Sequence, residues 1–72
     1  MIYQIILKSK NSFTIYNAET GQIVRTQSVD GNIIGAPIVT GDSGVIVVQK
    51  GITHKSYVYN LKNGSVKKIF NV

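Results

Sequence analysis

Seventy-two residues allow one domain at most, and a chain of that size hides only about 60% of the surface its unfolded form exposes, so its core needs a supplement. Cysteine is absent, which excludes disulfides, and one histidine with three carboxylates (Glu19, Asp30, Asp42) gives no reason to expect a structural metal; association between copies is the supplement that remains. A hydrophobic share of 43% with only 15% charged residues excludes an intrinsically disordered chain.

Eight Lys and Arg against three acids give a formal charge of +5, with the excess late in the chain at Lys50, Lys55, Lys62, Lys67 and Lys68. That skew suits an acidic partner or nucleic acid, and it equally keeps a small oligomer soluble. No apolar run approaches the roughly 20 residues of a membrane-crossing helix. The first residues also lack the basic, apolar, then small-residue order of a signal peptide. The expectation is therefore no membrane, in a cytoplasmic or other intracellular setting, a viral particle included.

Apolar positions follow the two-residue period of a strand or run on unbroken, and nowhere recur at helical spacing. Ile2 to Lys8 predicts a strand covered on both faces, Lys8 to Ser12 a polar turn, and Phe13 to Tyr16 a second strand. Ala18-Glu19-Thr20-Gly21 reads as a hairpin loop in which Gly21 takes a positive φ, and Gln22 to Val29 as the third strand. Asp30-Gly31-Asn32 interrupts. After Ile33-Ile34-Gly35 a short fourth strand is expected from Ala36 to Thr40, beginning beside Pro37 because proline cannot donate to a ladder. Gly41-Asp42-Ser43-Gly44 is a turn. The Val45 to Val48 run, apolar on both faces, predicts a central strand in which an Asp at Val47 would abolish folding and assembly together. Gly51-Ile52-Thr53 leads into Lys55 to Asn60, where Tyr57 and Tyr59 share a face. Lys62-Asn63-Gly64 is a hairpin turn, and Ser65 to Phe70 completes seven strands.

A shift of 43 residues aligns Ile15-Tyr16-Asn17 with Val58-Tyr59-Asn60, Gly21 with Gly64 and Ile23 with Val66. The same shift carries Ile2, Tyr3 and Ile5 onto Val45, Ile46 and Val48. A period of 40 to 45 residues with about four strands per unit is that of a β-propeller blade. The 1–72 domain thus divides into a unit at about 1–30 and another at about 36–72.

Tyr16 to Val24, with its Thr20-Gly21 turn, resembles the blade motif of quinoprotein-type propellers, and Gly35 to Val47 resembles the other half of that blade. The resemblance implies the scaffold only. Arg25 and Lys68 stand near positions where that family commonly has a tryptophan, and the acids of its cofactor pocket are missing here. A propeller closes at four to eight blades. Two units therefore imply a homo-oligomer, three copies for a six-bladed ring or four for an eight-bladed one, similar in architecture to small two-blade lectins that trimerise. The alternative expectation is a single small β-sandwich or barrel of seven strands.

No catalytic residue is expected. His54 is the only imidazole, and Glu19, Asp30 and Asp42 all fall in turns. No cofactor is expected either: Gly41-Asp42-Ser43-Gly44 lacks the Lys and the following helix of a phosphate-binding loop. Aromatic side chains interleaved with lysines can stack bases or sugars, although their ordinary role is packing between sheets. The candidate contact residues are Tyr57, Tyr59, Lys55, Lys50, Lys62, Lys68 and Arg25. They suit a non-enzymatic interaction module, a basic β-barrel that binds nucleic acid, or a building block of a larger assembly such as a virion.

Overall fold

The computed structural model describes all 72 residues as seven strands in the order β1 (Tyr3–Ser9), β2 (Ser12–Asn17), β3 (Ile23–Ser28), β4 (Asn32–Thr40), β5 (Ser43–Lys50), β6 (Thr53–Asn60) and β7 (Val66–Asn71). They form two antiparallel sheets, β1-β2-β3 and β4-β5-β6-β7, each joining strands consecutive in sequence. The fold is all-β, and the two open sheets pack face to face as in a small sandwich.

Two strands depart from expectation. β4 starts at Asn32 rather than Ala36, because Ile33 and Ile34 pair with Val48 and Val47. Gly35-Ala36-Pro37 then fall in the irregularity between the Ile34 and Ile38 rungs, where a missing N–H breaks no ladder bond. β1 is covered on one face only. It is the edge of a three-stranded sheet, so Tyr3 and Ile5 are buried while Ile6, pointing the other way, is exposed.

The core is thin: Tyr3, Ile5, Phe13 and Ile15 from one sheet meet Ile46, Val48, Tyr59 and Leu61 from the other. Alternation along β2 and β5 aims Phe13 and Ile15, and Ile46 and Val48, into this layer. Phe13 meets Tyr59 edge to face, with ring centroids 5.2 Å apart. The sheets close tightly over Gly44, where a Cβ would lie 2.6 Å from Ile5 Cδ1 and 2.8 Å from Leu61 Cδ2.

The β2–β3 and β6–β7 hairpins share one register. Phe13 opposite Gln27, Ile15 opposite Arg25 and Tyr16 opposite Ile23 become Ser56 opposite Phe70, Val58 opposite Lys68 and Tyr59 opposite Val66 when 43 is added to each number. The bulge recurs at the same place. So do the turn bonds: Gly21 and Gly64 donate to the carbonyls of Asn17 and Asn60 at 2.7 Å, and the Glu19 and Lys62 amides donate to Asn17 and Asn60 Oδ1 at 2.9 Å. Gly21 and Gly64 sit at φ 77° and 78°, a left-handed conformation that a Cβ would strain.

The leading strands follow a different offset, which corrects the sequence alignment there. Ile5 faces Ile15, whereas Val58 is faced by Val45 and not by Val48. By pairing, Ile5 therefore corresponds to Val45 and Ile6 to Ile46, an offset of 40; the Ala18 N–H bond to the Ile2 carbonyl is matched by Leu61 to Asp42. The physical reason is ladder length, since both turns leave two residues unpaired. Beyond the equivalent rungs Leu7–Phe13 and Val47–Ser56, the first hairpin adds one rung, Ser9–Ser12, past a bulge, and the second adds three, Val48–Lys55, Gln49–His54 and Lys50–Thr53. An odd change of offset turns every side chain of a strand to the opposite face, so the correction matters.

Candidate interaction surfaces

Of the candidate residues, Lys50, Lys55 and Tyr57 come together. Lys55 and Tyr57 alternate along β6 onto one face, and the end of β5 brings Lys50 beside them in a small pocket completed by Asp30, Val48 and Thr53. Its volume is about 130 Å³, well below the 300 Å³ or more of ordinary small-molecule sites. Lys50 Nζ donates to the Asp30 carboxylate, and this hydrogen bond, with the attraction of opposite charges, raises the pKa of the lysine above its usual range. Thr53 Oγ1 donates to the Lys50 carbonyl at 2.7 Å and ties the turn.

Tyr59 is not on this surface. It is 5% exposed, its ring packed edge-on to Phe13 and stacked 6.2 Å from Tyr57 at 19° between planes. Burial, and secondarily the neighbouring Tyr57, push its phenol above the usual tyrosine pKa. The side chain belongs to the core, and only half-buried Tyr57 offers a ring to the outside.

Arg25 and Lys62 meet at the turn after β6. Arg25 Nη2 donates to the Lys62 carbonyl at 3.4 Å and Gln27 Nε2 to the Gly64 carbonyl at 2.9 Å, docking β3 onto that turn. Gly64 is required by this approach, since a Cβ there would lie 2.7 Å from Arg25 Cδ. Arg25 Nε and Gln27 Oε1 are buried without a partner. Lys62 Nζ lies 3.3 Å from Asp42 Oδ2. Lys68 stands apart from all of these, on the opposite face of the second sheet beside Phe70, while its neighbour Lys67 donates to Ser43 Oγ at 2.8 Å. The cations thus divide among three places instead of forming one basic face.

The larger surface feature is apolar and was not among the candidates. On the outer face of the second sheet one row reads Ile34, Val47, Ser56, Phe70 and the next Ile38, Val45, Val58, Lys68. Ile38 and Phe70 are 61% and 51% exposed, and the valines between them are half-buried. The outer face of the first sheet is mixed: one row reads Gln4, Tyr16, Ile23 and the next Ile6, Thr14, Thr26, with Ile6 and Ile23 48% and 62% exposed. The rows of the second sheet are contiguous and apolar, whereas those of the first are interrupted by Gln4, Thr14 and Thr26. The signal in the sequence is the unbroken apolar run Val45 to Val48 of β5, which supplies more apolar side chains than one buried face can take.

No three His, Cys, Asp or Glu side chains cluster closely enough to hold a metal ion, and no helix is long and apolar enough to cross a membrane. Compared with family models, curated proteins and solved structures, the chain matches none.

Proposed function

We propose that the protein is a non-enzymatic, self-associating β module of two propeller-like blade units, acting as an interaction or structural piece of a homo-oligomer. The observation that carries this reading is the uncovered apolar outer face of the β4–β7 sheet. The shared register of the β2–β3 and β6–β7 hairpins supports treating β1-β2-β3 and β5-β6-β7 as equivalent units. On that reading β4 is the strand without a counterpart, and the first unit leaves the outer edge of β1 open where β5 has β4. Open edges and apolar faces together favour association.

Three or four copies would bring six or eight units into a ring, a number at which propellers close. The test is mass in solution. Sedimentation velocity is expected to give a discrete particle at three or four times the 7.9 kDa chain; a particle at the chain mass overturns the reading. A nucleic-acid-binding role draws less support, because Lys50 and Lys62 are each engaged by a carboxylate and Lys68 lies on another face.

A further inference from the structure

We propose that copies join head to tail, the outer face of the β4–β7 sheet of one seated on the outer face of the β1–β3 sheet of the next. The proposal rests on the oligomeric reading above and adds which surfaces meet.

The subunit itself supplies the template. By pairing, Ile5, Phe13, Ile15, Arg25 and Gln27 correspond to Val45, Ser56, Val58, Lys68 and Phe70. The first set faces the other sheet and the second faces out. Conversely Ile46, Tyr59, Leu61 and Gly64 face inward, and their counterparts Ile6, Tyr16, Ala18 and Gly21 lie on the outside of the first sheet, where Gln4, Lys8 and Thr14 take the places of Gly44, Val48 and Tyr57 and make this seat more polar than the internal one. The internal interface therefore sets the front of one unit against the back of the other, leaving one front and one back unused. Ile46 is wholly buried and Ile6 is 48% exposed at the equivalent place. A front that mates with a back is heterologous, so association propagates in one direction until rotation closes a ring.

Two details favour a second copy as the occupant. Inside the subunit, Arg25 and Gln27 rest on the turn at Lys62 and Gly64; on the free front Lys68 and Phe70 hold their places, and the matching turn carries Glu19 where the other has Lys62. Contact between copies thus brings Lys68 to Glu19, whose Oε1 lies 3.9 Å from the Met1 amino group and accepts from the Ile2 amide at 3.3 Å, so that Lys68 adds a second cation to a half-exposed carboxylate. The seat is also vacant: nothing lies within 4 Å of a Cβ placed on Gly21, whereas Gly64 is pressed by Arg25 at 2.7 Å.

Phe70→Asp blocks the front and Ile6→Asp the back, both at exposed positions, with Val47→Asp and Ala18→Arg as second blocks should either fail a circular-dichroism check of folding. Each variant alone is expected to sediment at the chain mass. An equimolar mixture is expected to give a two-chain particle, because each variant keeps the face that the other lacks. Lys68→Glu is expected to raise the dissociation midpoint of the wild-type assembly several-fold, and Glu19→Lys in the same chain to bring it back. A mixture that stays at the chain mass, a single variant that keeps the wild-type mass, or a double charge variant weaker than the single overturns the proposed surfaces. A wild-type chain that sediments as a monomer instead removes the oligomeric reading itself, so the two failures are distinct.

Discussion

Gly21 and Gly64 occupy the same φ, yet only Gly64 is crowded, and the pair therefore separates backbone strain from packing. In the Val47→Asp background, chosen to keep copies apart, Gly21→Ala is expected to lower stability by about 1 kcal/mol from strain alone. Gly64→Ala is expected to lose about 1–3 kcal/mol more, because its methyl group meets Arg25. Urea midpoints of the two variants check this, and equal losses would mean that β3 does not press on the turn. Tyr59 sets a pH dependence of definite sign. Its folded pKa is raised, so below the unfolded value of about 10 both states hold the proton and stability is complete. Above that value the unfolded chain loses the proton first, and stability falls as pH rises through the folded pKa. Tyr59→Phe is expected to lose less of its urea midpoint between about pH 10 and 11 than the wild type does; parallel losses would contradict the burial of that phenol.

At the scale of elements, β5 is the strand on which the two readings divide. Its run Val45 to Val48 correctly indicates a central strand, but its faces differ: Ile46 and Val48 enter the core, while Val45 and Val47 are half-buried on the outer side. Val47→Asp is accordingly expected to leave a folded subunit, with unchanged far-ultraviolet circular dichroism, and to abolish association. This replaces the expectation that folding and assembly fail together. Loss of folded signal in that variant would show that the outer face is already enclosed within one chain. β4 was legible only in its second half, since Ile33-Ile34-Gly35 gives no local sign that Gly35-Ala36-Pro37 is absorbed as a bulge within one continuous strand.

For the whole molecule, eight buried apolar side chains form the only core, and a core that thin gives a subunit of marginal stability. Under the proposed association, stability gains by mass action, so the thermal midpoint of the wild type is expected to rise with protein concentration over a hundredfold range while that of Val47→Asp stays fixed. A wild-type midpoint independent of concentration would count against association. The candidate site was legible only in part. Lys50, Lys55 and Tyr57 converge because alternation along β6 and the adjacent β5 end place them together, but Asp30 joins them from the loop before β4, which no local pattern announces.

The sequence by itself determined the strand period, six of the seven strands nearly as observed, the hairpin turns at Gly21 and Gly64, and the likeness of the β2–β3 and β6–β7 hairpins. All of these follow from local alternation and from the conformations that glycine and proline permit. Tertiary structure alone decided the offset of β5 against β1, and with it which face of each hairpin is inside. A hairpin can grow by three residues of ladder without disturbing the apolar pattern, yet pairing fixes the face, and a strand apolar on both sides does not record which side the other sheet covers.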